Sequence, residues 1–108
     1  MTREKLIAMI EAGGCSGLDV AIMKELGLEY DGEVLDSLDA ALALVERVRP
    51  KAWIEINGPR KYLNIPTPVP NYWKAIVAPW EDKTEGVGWA AAPAAALIAA
   101  LLKSTSEP

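Results

Sequence analysis

The hydrophobic period of this 108-residue chain changes near Pro50, and that change limits the folds open to it. Up to Val48 the apolar residues recur every three or four positions, which is typical of amphipathic helices. The segment KAWIEIN at 51–57 then alternates two sets of residues, which is typical of a strand. A helical pattern returns at the end of the chain. This order predicts an α+β fold with helices first, strands next and one helix last.

Three helices are predicted in the first half of the chain, over residues 2–12, 16–26 and 37–48. Each begins at a serine or threonine whose side-chain oxygen can accept a hydrogen bond from a free amide of the first turn. Glycines follow the first two segments and a proline follows the third, and both residue types end helices. We expect the first two helices to form an αα hairpin.

Three short strands are predicted within residues 51–57, 72–80 and 85–91, and a C-terminal helix is predicted from Pro93. The large apolar residues of that helix share one side, and its alanines lie largely on the other. The two sets are Leu97, Ile98, Leu101 and Leu102, and Ala95, Ala96, Ala99 and Ala100. We expect the leucine side to cover the sheet. The alanine side would then face outward and form the interface of a homo-oligomer. The alternative is that alanine is simply the best helix former and tolerates exposure.

Four segments in this order resemble the phage ABA sandwich family: DVAIMKELG, SLDAALALVERV, a strand region with tryptophans, and GWAAAPAAALIAALLKS. The resemblance covers roughly residues 18–103. It implies a three-layer α/β/α sandwich with a small three-stranded antiparallel sheet, and an origin in a phage or prophage. The family brings no agreed activity or catalytic residues. One domain over 1–108 is expected, with a loose tail at 103–108.

The composition excludes much familiar enzyme chemistry. The chain has no histidine and one cysteine, Cys15, which removes Cys/His zinc sites and histidine-dependent nucleophile pairs. The GGCSG segment at 13–17 is best explained as a helix end followed by a helix start. The acids of residues 31–39 suit a loop and the start of a helix. We therefore expect no catalysis, no metal and no cofactor.

The stretch NGPRKYLNIPTPVP at 57–70 lies in a basic part of the chain. Residues 47–74 carry six basic residues and one acidic residue, a net charge of +5, whereas the whole chain carries −4. Arginine forks and aromatic rings suit a nucleotide-like anion. The predicted ligand-binding residues are Arg60, Lys61, Tyr62, Lys74, Trp80 and Arg47. A solvated, charge-rich loop is the alternative, because no glycine-rich phosphate motif accompanies the cations.

Tryptophans occur only in the strand half, and most are expected to pack in the core or on the sheet. Trp80 is the one expected to be partly exposed, because a polar turn follows it. The function expected from these features is a non-catalytic phage-type binding protein, acting in counter-defence by sequestering a small nucleotide-like anion. The alternative is a protein-binding inhibitor or adaptor that acts on a host protein. The setting is the cytoplasm of an infected or lysogenic bacterium, without membrane or duplex nucleic acid as a partner.

Overall fold

Within the residues that the structure describes, four helices and three strands form in the order that the sequence predicts. The computed structural model describes residues 2–12, 18–29, 35, 37–60, 72–79 and 85–105. The helices are α1 (Arg3–Glu11), α2 (Leu18–Glu25), α3 (Leu38–Val48) and α4 (Pro93–Ser104), and the strands are β1 (Ala52–Arg60), β2 (Tyr72–Pro79) and β3 (Gly86–Ala90). The predicted α+β class and the three-stranded antiparallel sheet are confirmed.

Hydrogen bonds at the helix ends explain why the elements begin and stop where they do. The Thr2 hydroxyl accepts a bond from the Lys5 amide at 3.2 Å, and the Ser37 hydroxyl accepts one from the Ala40 amide at 3.2 Å. These are the N-cap bonds that the sequence predicts for α1 and α3. After α2 the chain passes through Gly27 with a φ of 74°, a conformation that favours glycine.

The sheet has the order β1-β2-β3, so β1 and β3 are its edge strands. β1 and β2 pair in regular register from Ala52 opposite Pro79 to Asn57 opposite Lys74, and the register shifts beyond Asn57. All of β3 pairs with β2. The proline-rich connection between β1 and β2 lies outside the described residues.

α4 lies directly against the backbone of β3, because glycines of β3 leave room for it. A Cβ atom at Gly86 would be 2.6 Å from the Ser104 nitrogen, and one at Gly88 would be 2.6 Å from the Ala100 nitrogen. Both distances are far below van der Waals contact, so any side chain here would push α4 away. Gly86 and Gly88 therefore fix the close contact between helix and sheet.

The alanine side of α4 faces the sheet, so the predicted outward orientation of these alanines is wrong. Ala96, Ala99 and Ala100 have no exposed surface, and Ala95 is half-buried. The physical reason is the close approach at the β3 glycines, which only small side chains on α4 allow. The predicted oligomer interface required these alanines to be exposed, so the alanine side does not provide it.

Helical periodicity identifies the side of α4 that lies opposite to Ala96 and Ala100. This side is also completely buried, among the other helices. Its residues include Ile98, Leu101 and Leu102. α1 and α3 both contact α4, and α2 packs on α1. The described elements therefore stack in three layers, with the sheet on one side, α4 in the middle, and α1 and α3 beyond it. Among the described residues the sheet is thus an outer layer, whereas the α/β/α order expected from the sequence places it between helices.

Two arginines bind the C-terminal end of α4. Arg3 Nη1 donates to the Leu102 carbonyl at 3.2 Å, and Arg3 Nε pairs with Glu25 Oε1 at 2.9 Å. Arg49 Nη2 donates to the Ser104 carbonyl at 2.8 Å. Positive charge is favourable at a helix C-terminus, where carbonyls lack helical partners. These bonds tie α1, α2 and the end of α3 to α4.

Candidate binding surface

The outer sheet face is the side of the sheet that points away from α4. Strand residues alternate between two faces, so this face is made by the residues between the inner positions. Its members are Trp53, Glu55, Asn57, Lys74, Ile76, Ala78, Val87 and Trp89. Within the described ranges, none of these residues belongs to the hydrophobic core or packs against it. Of these residues Trp53 is exposed and the other seven are half-buried.

Polar residues occupy one corner of the outer sheet face. Asn57, Lys74 and Trp89 are direct neighbours across the three strands, with Cβ atoms about 4.5–5.5 Å apart. Glu55 lies on the same face as Asn57, and its Oε2 accepts a hydrogen bond from Asn57 Nδ2 at 3.1 Å. This corner therefore offers a carboxylate, an amide and an ammonium group beside an indole ring.

An apolar stripe runs diagonally across the outer sheet face, from Trp53 through Ile76 to Trp89. Ile76 is the diagonal neighbour of both tryptophans, with Cα atoms about 7–8 Å apart. Trp53 is 52% exposed, whereas Trp89 is half-buried and its ring centre lies 5.0 Å from Lys103 Nζ. Tryptophans at partly exposed positions are typical anchors of protein interfaces.

Side chains close the outer edge of β3. The Trp89 amide donates to Glu11 Oε2 at 3.0 Å, and Lys103 Nζ donates to the Val87 carbonyl at 2.7 Å. Lys103 Nζ also lies 2.7 Å from Glu11 Oε2. These contacts satisfy backbone groups that an added strand would need, so this part of β3 is protected against strand addition.

The predicted ligand-binding residues are divided by the structure. Lys74 is half-buried on the outer sheet face, and Arg47 is exposed in the last turn of α3. The backbone of Arg60 lies opposite Tyr72 at the end of β1. The other three predicted residues, Lys61, Tyr62 and Trp80, lie outside the described residues.

Arg47 and Lys74 lie near opposite ends of the β1–β2 pair. The Ala52 amide donates to the Arg49 carbonyl at 3.0 Å, which places the end of α3 beside Ala52. Lys74 lies opposite Asn57, about 17 Å along β1 from Ala52 at about 3.4 Å per residue. Of these two predicted ligand residues, only Lys74 belongs to the outer sheet face.

Sequence reasoning missed Trp53 as a surface residue. The alternation of KAWIEIN places Trp53 and Glu55 opposite to Ile54 and Ile56, and the structure confirms that division. The pattern does not say whether both faces of the strand are covered, so a large aromatic residue was expected to pack. An available signal was Glu55, because a carboxylate on the same face as Trp53 indicates contact with water.

No helix in the described part of the chain is long and apolar enough to cross a membrane. The same residues contain no group of three or more acidic, cysteine or histidine side chains that could hold a metal ion. Cys15 and the GGCSG segment lie outside the described residues.

No family model matches this sequence, and neither the curated proteins nor the solved structures contain a significant match. The similarity to the phage ABA sandwich family stays a prediction from the sequence segments given above. Arguments about function therefore start from the outer sheet face itself.

Proposed function

We propose that this chain is a non-catalytic binding protein that engages a partner protein through its outer sheet face. One observation carries the proposal: Trp53 is 52% exposed on a sheet face that is separate from the hydrophobic core. Exposing an indole to water is unfavourable, and covering it with a partner recovers that free energy. The resemblance to a family of phage and prophage proteins favours a host protein as the partner and interference with host defence as the setting.

The arrangement of side chains favours a protein partner over a small anion. The apolar stripe of Trp53, Ile76 and Trp89 crosses the face, and Glu55 lies beside its middle. A phosphate placed between the two indoles would meet an aliphatic side chain and a carboxylate, which is unfavourable. A protein surface with its own apolar residues and a complementary polar rim suits both features.

Site-specific photocrosslinking in bacterial cells tests the proposal. A benzophenone amino acid replaces Trp53 in one variant and Val20 in the control, because Val20 is 54% exposed on α2, away from the sheet. We expect a crosslinked partner protein from position 53 that is not obtained from position 20. The partner is then identified by mass spectrometry and purified.

Affinity for the purified partner decides the result. Trp53→Ala should weaken binding at least tenfold, because a buried tryptophan anchor is often worth about 2 kcal/mol or more. Val20→Ala should leave the affinity unchanged. Equal affinities of wild type and Trp53→Ala would refute a role for the outer sheet face.

A nucleotide-like anion is the second candidate ligand. It is favoured by the position of Lys74 directly beside Trp89 and by the net charge of +5 over residues 47–74. Ligand that binds only the native state raises the melting temperature, so a nucleotide panel in a thermal-shift assay tests it. The effect should disappear in Lys74→Gln and weaken with salt. A Lys74→Gln variant with an undiminished, salt-independent shift would refute this candidate site.

A further inference from the structure

The two edges of the sheet are treated differently by the rest of the chain. The edge of β3 is closed by Glu11 and Lys103, as described above. At the edge of β1, the described hydrogen bonds include one that binds an outward backbone group, from the Ala52 amide to the Arg49 carbonyl. A long edge strand without cover is a template for another strand.

The register shows which groups β1 presents at this edge. In β3 the Val87 carbonyl and the Trp89 amide point away from β2, because Lys103 and Glu11 bind them. Hydrogen-bonding direction alternates along each antiparallel strand. Val87 lies opposite Ile76, and Ile76 lies opposite Glu55. Because Val87 points away from β2, the backbone groups of Ile76 bond to Glu55 on the other side. The backbone groups of Glu55 therefore point toward β2, and those of Ile54 and Ile56 point away from it.

The outward groups on β1 therefore belong to Ala52, Ile54 and Ile56. The Ala52 bond to Arg49 agrees with this assignment, because Arg49 lies outside the sheet. Ile54 and Ile56 are also half-buried on the inner face, next to the edge. β1 thus offers amides, carbonyls and apolar side chains along the same line.

We propose that β1 pairs antiparallel with β1 of a second copy of this chain, around a twofold axis at Ile54. In this register each Ile54 amide donates to the Ile54 carbonyl of the second copy. Each Ile56 amide donates to the Ala52 carbonyl of the second copy. The reciprocal bond, from each Ala52 amide to the Ile56 carbonyl of the second copy, does not form because that amide already donates to Arg49, so this register keeps four backbone bonds.

Neighbouring registers are less favourable. An axis at Glu55 would place two carboxylates directly opposite each other, which destabilises a strand pair. An axis at Trp53 would pair Ile54 with Ala52 and, because the Ala52 amide already donates to Arg49, would keep between these residues only the two bonds from the Ile54 amides to the Ala52 carbonyls. The Ile54 axis keeps the carboxylates apart and keeps two more backbone bonds than the Trp53 axis.

Side chains on both faces fit the Ile54 axis. On the inner face Ile54 meets its own copy, and Ala52 meets Ile56, so the contacts are apolar. On the outer face Trp53 lies opposite Glu55 of the second copy. Lys51 is exposed next to β1 and becomes a diagonal neighbour of that same carboxylate. Opposite charges on one edge strand make the edge self-complementary.

The pairing also enlarges the outer sheet face that is available to a partner. This consequence rests on the proposed function. One outer sheet face covers a projected area of about 250 Å², from three strands about 4.8 Å apart and about five residues long. A standard interface takes about 800 Å² of accessible surface from each partner. Two copies joined at β1 present a continuous six-stranded face with both Trp53 side chains near its centre.

Disulfide trapping tests the register. Trp53→Cys, Ile54→Cys and Glu55→Cys are made separately in a Cys15→Ser background, which removes the only natural cysteine. Residues at the axis have Cα atoms about 5.5 Å apart, within disulfide range, whereas residues one position away exceed about 7 Å. Mild oxidation should therefore crosslink Ile54→Cys most strongly. Strongest crosslinking at 53 or 55, or none at all three positions, overturns the proposed register.

A proline pair tests the edge. Ile56→Pro removes an amide that points away from β2, so the monomer should keep its fold while dimer affinity falls at least tenfold. Glu55→Pro removes an amide bonded to β2 and should instead lower the melting temperature strongly. Sedimentation velocity gives the masses over a concentration series. A wild-type chain that is monomeric at about 200 μM, or an Ile56→Pro variant with unchanged dimer affinity, overturns the pairing.

These outcomes are separate from those of the proposed function. A monomeric wild type whose partner affinity still depends on Trp53 refutes the pairing alone. A dimer with the Ile54 register, in which Trp53→Ala has normal partner affinity, refutes the outer sheet face alone.

Discussion

Glu11 and Lys103 form an ion pair of 2.7 Å that also binds the Trp89 amide and the Val87 carbonyl at the edge of β3. Glu11 is the last residue of α1 and Lys103 is the second-last residue of α4, and neither side chain is more than 28% exposed. The pair therefore links both helices to the sheet and satisfies an edge that would otherwise be open. Its value lies in the backbone groups it binds, more than in the attraction between its two charges.

Loss of the carboxylate at position 11 should destabilise the protein. We expect Glu11→Ala to lower the free energy of unfolding by about 2 kcal/mol, because the Trp89 amide and Lys103 each lose a charge-assisted hydrogen bond. Glu46→Ala, at an exposed position on α3, is the control and should change stability by less than about 0.5 kcal/mol. Urea denaturation measures both. Equal stabilities of the two variants would contradict the role of the Glu11 carboxylate.

A methyl group at Gly86 should be far more damaging than one at Gly27. Gly86→Ala would collide with the backbone of α4 and should cost about 3 kcal/mol or more. Gly27→Ala meets no atom within 4 Å but must keep a φ of 74°, so it should cost about 1 kcal/mol. Thermal unfolding followed by circular dichroism compares them. A reversed order would contradict the close contact between β3 and α4.

Acidic residues on the alanine side of α4 should prevent folding. Ala96 and Ala100 have no exposed surface, so Ala96→Glu with Ala100→Glu buries two carboxylates without partners. Ala43→Glu at an exposed position of α3 is the matched control and should fold normally. Circular dichroism and light scattering together give the result. A folded monomer from the double variant would instead support an exposed alanine side.

Two tryptophans on opposite faces of the sheet should respond differently to truncation. Trp53→Ala should change the free energy of unfolding by less than about 1 kcal/mol, because Trp53 is 52% exposed and lies off the core. Trp73→Ala should cost about 2–3 kcal/mol, because Trp73 packs against the core from the inner face. Chemical denaturation distinguishes them. Similar losses in both variants would contradict the assignment of the two faces.

Local patterns in the sequence determine the elements of this fold. Thr2 and Ser37 begin helices as expected, because an N-cap depends on residues within one turn. The alternation in β1 correctly separates its two faces. Such signals work because the interacting groups are neighbours in the chain.

The orientation of α4 and the closed edge of β3 could not be predicted in this way. Which side of α4 meets the sheet depends on Gly86 and Gly88, which belong to another element. The bond from Lys103 to Glu11 joins residues 92 positions apart. No local pattern carries that information, and the exposure of Trp53 is equally a property of the assembled layers.

The contact between β3 and α4 also has a consequence for the order of folding. Only two residues separate these elements in the chain, so closing that loop costs little conformational entropy. Arg3 and Glu11 must instead reach α4 across almost the whole sequence. We expect β3 and α4 to associate early and α1 to dock late. In folding kinetics, Ala99→Gly should slow folding, whereas Leu6→Ala should mainly accelerate unfolding. The opposite result would place the nucleus at α1.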